Sequence, residues 1–191
     1  MNASEPPRLP PAGNADKPVY PAALARNRRL FDGTPVAIRP IRPEDSGMEQ
    51  EFVRHLSEDS RYFRFLGSMR ELPPKKLKYF TEIDYDLHMA FVAVVLREGK
   101  EVEIGVARYV GGAQRDKGEF AVAVDDDWQG TGVAGLLMAS LMDAARERGF
   151  RTMEGLVLRS NLKMLKFAKQ LGFKLRPSED DAGTVVVARP L

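Results

Sequence analysis

The sequence predicts a single mixed α/β domain in which a central sheet of about six to seven strands is flanked by helices. Three observations carry this prediction. Short runs of β-branched and aromatic residues recur from Val36 to Ala188, apolar residues between several of them fall at helical spacing, and the second half alternates strand with helix. With 191 residues, 43% of them hydrophobic, the chain can fill one core but hardly several.

Each element follows from local chemistry. Residues 1–34 hold Pro6, Pro7, Pro10, Pro11, Pro18 and Pro21 with little apolar periodicity, so they read as a proline-rich arm or connector. Such an arm is loosely held, binds a partner or wraps its own domain; Arg26, Arg28 and Arg29 give it a local basic patch. The domain proper spans 35–191. Residues 36–38 read as a strand, and 39–45 turn into a helix in which Phe52, Val53 and Leu56 share a face. Residues 57–65 and 73–80 read as two further short helices, the second opening on a proline whose missing N–H costs least there. Residues 89–96 and 102–110 form a hairpin, and 118–124 follow as a strand. From 132 to 148, Val133, Leu137, Leu141 and Ala144 line one helical face, with Gly149 placed as a left-handed cap. Residues 153–158 are the next strand, 161–171 a helix ended by Gly172, and 173–175 with 184–188 close the sheet.

Composition removes several function classes. Twenty-nine basic and 27 acidic residues leave a net charge of +2, too weak a field to support generic binding of nucleic acid. The absence of cysteine eliminates disulfides, cysteine-bound metals and thiol nucleophiles, and it fits a reducing compartment. Only His55 and His88 are present, so no metal site is expected. No run approaches the roughly 18 apolar residues needed to span a bilayer, and the start lacks a basic-then-apolar leader. The expectation is a cytoplasmic monomer or homodimer without nucleic-acid or membrane partners.

The most informative segment is 122–135, Val-Ala-Val-Asp-Asp-Asp-Trp-Gln-Gly-Thr-Gly-Val-Ala-Gly, where a strand runs through a glycine turn into a long helix. The first N–H groups of a helix have no intrahelical acceptor and converge on anions, while Gly130 and Gly132 permit unusual backbone angles and close approach. Gln129, Gly130, Thr131, Gly132, Val133, Ala134 and Gly135 are therefore expected to cradle a phosphate. The plain alternative is a strand-to-helix turn with no ligand. The spacing fits neither the phosphate loop of NTPases nor the full dinucleotide fingerprint.

This segment resembles the pyrophosphate loop of the GNAT superfamily of acyl-CoA-dependent N-acyltransferases, Gln/Arg-x-x-Gly-x-Gly/Ala, with Gln129, Gly132 and Ala134 in its fixed places. A second marker of that family, an asparagine after the next strand and a helix ending in Gly-Phe, is matched by Asn161, Met164, Leu165 and Leu171-Gly172-Phe173. More narrowly, residues 38–45, 60–65 and 83–92 resemble the GNAT domain of bacterial protein-lysine acetyltransferases, and 20–34 resemble the connector into it. In those relatives the domain is often fused to an acyl-CoA synthetase-like domain. The short arm here reads as a stand-alone form.

The resemblance implies a GNAT fold, acetyl-CoA as co-substrate, and a protein lysine or small amine as acceptor. A lysine amine with a pKa near 10.4 needs about 4.6 kcal/mol to be freed of its proton at neutral pH. A general base is therefore expected, and Glu119 stands where lysine acetyltransferase-like relatives carry theirs. Its strand face also holds Ala121 and Ala123, and burial there is expected to raise its pKa. The alternatives are a solvent-facing glutamate, or Glu103 on the preceding strand as the base. Val122 and Val124 are expected to offer backbone groups to the pantetheine arm, and Asn161 either contacts that arm or caps a helix.

Phe167 stands where many of the family place a tyrosine that protonates the departing thiolate, which leaves the acid unassigned. Lys163, Lys166 and Lys169 are candidates for the outer phosphate or a solvated face. Asp125, Asp126 and Asp127 are expected to turn to solvent, and His88 and Trp128 to serve packing. The leading reading is acyl transfer by direct attack in a ternary complex, since no nucleophile for an acyl-enzyme is recognisable. Two alternatives stand beside it: a non-catalytic acyl-CoA-binding regulatory domain and a small-molecule amine acetyltransferase.

Overall fold

The apolar run at 89–96 has no polar alternation, as expected of a strand covered on both faces. In the computed structural model, which describes residues 18–179 and 181–191, this run forms strand β3 (His88–Arg97), buried from His88 to Val95. Arm residues Pro6, Pro7, Pro10 and Pro11 lie outside the described residues. The other strands are β1 (Arg26–Arg29), β2 (Pro35–Pro40), β4 (Lys100–Gly111), β5 (Lys117–Val124), β6 (Thr152–Leu158), β7 (Lys174–Pro177) and β8 (Thr184–Pro190). They form one sheet of eight strands in the order β1-β2-β3-β4-β5-β6-β8-β7. Neighbours are antiparallel except β5 and β6, which run parallel.

Five helices complete the fold: α1 (Ser46–His55), α2 (Glu58–Phe65), α3 (Pro74–Thr81), α4 (Val133–Glu147) and α5 (Leu162–Gln170). Helix α4 packs on β3, β4 and β5, and its close approach depends on Gly105, where a Cβ would lie 3.0 Å from the Val133 side chain. Helices α1 and α3 cover the opposite face, where Arg108 reaches Glu49 of α1 and the Phe80 carbonyl of α3. Strand β5 connects through α4 to parallel β6, the crossover that a parallel pair requires.

Two features depart from the sequence expectation. The sheet begins inside the segment read as an arm: β1 pairs with β2, yet all four of its side chains are exposed, so no apolar periodicity marks it. The arm's Tyr20 also donates its hydroxyl to the Pro40 carbonyl (3.1 Å) and meets Tyr85 edge-on. The second is an irregularity between β3 and β4. Ala93 pairs with Gly105 but Val94 pairs with Glu103, so Ile104 is an extra residue. One inserted residue reverses side-chain parity, which brings Glu103 to the Arg108 face.

Candidate active site

Seven residue pairs join β5 to β4, from Gly118 to Val124, but only Lys117, Gly118 and Glu119 pair with β6. Beyond Glu119 the two parallel strands separate. Backbone groups of β5 that face β6 are left without strand partners, and the gap opens into a cleft of about 990 Å³. Its walls include Val122, Val124, the loop at Gln129 and Gly130, and the start of α5 at Asn161. Phe120 lies at the root of this gap, its ring seated over Gly155 of β6, where a Cβ would come within 2.6 Å. The parting of β5 from β6 and the packing of Phe120 are therefore one local arrangement.

The glycine turn places helix α4 at the mouth of the cleft. Gly132 is its N-cap with φ 99°, Gly130 has φ 80°, and no side chain caps the helix. The N–H groups of Val133, Ala134 and Gly135 therefore have no intrahelical acceptor. Thr131 folds back, donating its hydroxyl to the Trp128 carbonyl (2.6 Å), while its own carbonyl accepts from Phe31 N–H (3.1 Å). Phe31 is 85% exposed and rests against Gly132 beside the cleft. This contact between the connector and the loop had no sequence signal, because one aromatic in a polar segment carries no period.

Glu119 sits where β5 and β6 part company. The residue lines both the large cleft and an adjoining recess of about 300 Å³, and among the described residues its carboxylate has no ion-pair partner. The expectation that it is buried is not met: Glu119 is exposed, although still paired with Glu154 of β6, because its side chain stands on the sheet face that opens to the recess beside α2 and α3. The alternative base, Glu103, is 4% exposed and lines neither cavity. Burial, then the adjacent Glu49, pushes its carboxyl well above the ordinary range. Both Glu103 oxygens and Glu49 Oε2 lack another hydrogen-bond partner. A proton held by Glu103 and shared with Glu49 satisfies Glu49 Oε2 and one of the two Glu103 oxygens, and it leaves one negative charge for Arg108, whose Nη2 donates to Glu49 Oε1 (3.2 Å). His88 completes the cluster; burial and Arg108 lower its pKa to about 4, so its neutral Nε2 faces Arg108 Nη1 at 3.3 Å.

The shared proton has a measurable consequence. Above the ordinary glutamate value of 4.5 the folded chain retains a proton that the unfolded chain releases, so this group costs stability as pH rises. The slope is at most about 1.4 kcal/mol per pH unit. Glu103→Gln keeps a neutral donor without that proton, so its melting temperature should gain on the parent's over the range in which pH rises from 4.5 toward the raised folded value. A constant difference across that range would mean that Glu103 is ionised in the fold.

The remaining sequence candidates divide. Asn161 is the N-cap of α5, accepting from Met164 N–H at 3.1 Å, and its side-chain amide lines the cleft. Gln129 is exposed at the cleft with Ser60, Asp126 and Lys163 each 3.4 Å away. Of the three lysines considered, Lys163 lines the cleft; Phe167 lines it too. Of the acidic run, Asp126 and Asp127 are exposed as expected and Asp125 is half-buried, but Asp126 is also engaged by its neighbours. Its carboxylate accepts from Ser57 N–H, Ser57 Oγ and Ser60 Oγ at 2.7–2.8 Å, tying α2 to the loop. Burial pushes Asp126 up, but these donors outweigh it and hold the group below the usual carboxylate range. Arg64 and Arg108, which flank the recess beside Glu119, were missed. An arginine near a helix end or within a strand reads as surface charge, and only tertiary packing turns these two inward.

No helix among the described residues is long and apolar enough to cross a membrane. Residues 51–173 match the acetyltransferase (GNAT) family. An acetyltransferase of Pseudomonas aeruginosa is 40% identical over 157 residues, covering 82% of this chain and 84% of that protein. The acetyltransferase Pat of Mycolicibacterium smegmatis is 32% identical over 160 residues, 78% of this chain, which spans about half (47%) of that relative's length. Among solved structures, the GNAT domain of S. lividans PAT superposes with a TM-score of 0.83 at 30% identity, covering 91% of this chain and all of that one. The chain therefore belongs to the acetyltransferase (GNAT) family as an acyl-CoA-dependent N-acyltransferase.

Proposed function

We propose that the chain transfers an acetyl or short acyl group from acyl-CoA to a protein lysine by direct attack in a ternary complex. The single observation that carries this reading is the position of Glu119, an unpaired carboxylate at the point where the cleft's strands diverge, on the strand that leads to the glycine turn. The amides from Gln129 to Gly135 hold the diphosphate of the co-substrate. Backbone groups of Val122 and Val124 bond its pantetheine arm, and the Asn161 amide contacts the same arm.

Glu119 takes the proton of the lysine ammonium, directly or through one water. The amine nitrogen attacks the thioester carbonyl carbon; the C–N bond forms, the C–S bond breaks, and sulfur leaves as thiolate. A thiol has a reference pKa near 8.5, so this thiolate leaves without a dedicated acid and takes its proton from water or, through water, the second proton that the attacking nitrogen sheds as it becomes the amide. Phe167 is consistent with that route. The cysteine-free composition supports a cytoplasmic setting.

The test is incubation of the whole protein with acetyl-CoA and three acceptor panels: folded cytosolic proteins, lysine peptides and small free amines. Intact mass and site mapping read the products. Acetyl-lysine at defined positions is expected. Acetylation of small amines alone would overturn the lysine reading.

A further inference from the structure

The recess beside Glu119 is ringed by positive charge. Arg64, in the last turn of α2, lines both the recess and the main cleft, yet among the described residues it makes neither a hydrogen bond nor an ion pair. Arg108 faces the recess from β4; it is 4% exposed and its Nε is buried without a partner. Lys76 of α3 lines the adjoining cleft. All three cations gather on the ring of Phe80, with Arg108 Cζ 4.0 Å, Arg64 Cζ 5.5 Å and Lys76 Nζ 5.7 Å from its centroid.

The opposing charge is small. Glu49 carries one negative charge already spent on Arg108, and Glu103 holds its proton. Burial and the neighbouring Arg108 lower Arg64 to about 10, and burial and Arg64 lower Lys76, so the cations strain against one another while Arg64 stays protonated at neutral pH. Glu154, the direct partner of Glu119 on β6, is neutralised by Lys117 and Arg176 at 3.1 Å each, so Glu119 is the carboxylate at this end without an ion-pair partner among the described residues; it stands on the same face as Arg108, because directly paired residues share a face and Arg108 pairs with Ala121, two residues along from Glu119. The cluster therefore lies at the reacting end of the cleft, away from the glycine turn.

We propose that the acceptor carries a negatively charged group, most simply a carboxylate, close in space to its reactive amine, and that Arg64, with the charge of Arg108 behind it, holds this group in the recess while Glu119 faces the amine. The inference rests on the acyl-transfer reading above and names the substrate class of that same site. The charge has two sources: an acidic residue flanking the target lysine, or the carboxylate of a small amino acid-like amine. In either case the guanidinium of Arg64 gains the partner the protein does not supply.

The whole protein is assayed at low ionic strength with acetyl-CoA and two matched pairs of acceptors: lysine peptides flanked by Glu or by Gln, and 5-aminopentanoate against pentylamine. At least one anionic acceptor is expected to exceed its neutral match about tenfold in kcat/KM, the gain of one charge-assisted hydrogen-bonded contact. The peptide pair and the amine pair separate the two sources. Arg64→Met should shrink the preference to within about twofold, Arg64→Lys should keep part of it, and acetyl-CoA affinity should change little in either. Binding of the same acceptors to CoA-loaded protein, by fluorescence anisotropy of labelled peptides and by competition with the amines, covers the case of no turnover. Preference in binding without transfer would sustain the anion site and overturn the acyl-transfer role of Glu119. Equal use and equal binding of charged and neutral acceptors, or a preference that survives Arg64→Met, would overturn the inference.

Discussion

Glu119→Gln is expected to lower kcat/KM for lysine acetylation by between about ten- and a hundredfold while leaving acetyl-CoA affinity within about threefold. The requirement is energetic. Releasing a proton from a lysine ammonium at neutral pH costs about 4.6 kcal/mol, and an amide cannot take that proton. General bases contribute about 10²–10⁴ in rate, and the exposure of Glu119 places it toward the lower end, since water in an open cleft partly replaces it. The glutamine is nearly isosteric, and among the described residues Glu119 makes no ion pair whose loss would disturb the fold. Raising the pH should narrow the gap between variant and parent, because free amine becomes abundant without help. Unchanged transfer by Glu119→Gln at neutral pH would remove Glu119 from the mechanism.

Gly132→Ala is expected to weaken acetyl-CoA binding by at least about tenfold. Gly132 holds φ at 99°, a region that a residue with a Cβ enters only at a cost of about 1–3 kcal/mol. A Cβ there also meets the Phe31 ring at 3.1 Å, but Phe31 is exposed and can swing aside; the backbone angle cannot be relieved in that way. Relaxation of φ turns the N–H groups at the start of α4 away from their common focus, and anion binding at a helix start depends on that convergence. Isothermal titration of Gly132→Ala against the parent reads the effect directly. Equal affinities would place the diphosphate elsewhere.

Much of the fold was legible in the sequence because its strongest signals are local. The buried run 89–96, the hairpin after it and the apolar face of α4 each announce themselves within a dozen residues, and Gly149 and Gly172 adopt the positive φ expected of helix ends. Strand β1 was not legible, since its four exposed side chains carry no pattern and only backbone pairing with β2 defines it. The same limit applies to Glu103. Strict alternation along β4 misplaces it, because the extra residue Ile104 reverses its face. At the site, the glycine turn and Asn161 were readable as motifs. The exposure of Glu119 depends on the recess left between β5 and helices α2 and α3, and the inward turn of Arg64 and Arg108 on how α2 and β4 pack around Phe80 of α3; neither is a property of any short stretch of chain.

Binding of the diphosphate by the main-chain amides between Gln129 and Gly135 underlies every functional step assigned to the cleft. Titration calorimetry of the whole protein with acetyl-CoA and with S-acetylpantetheine, which lacks the diphosphate and nucleotide, tests it most directly. One acetyl-CoA bound per chain, with affinity at least about a hundredfold above that of S-acetylpantetheine, is the expected result. Absence of heat with acetyl-CoA on folded protein, or equal affinity for the two thioesters, would contradict it.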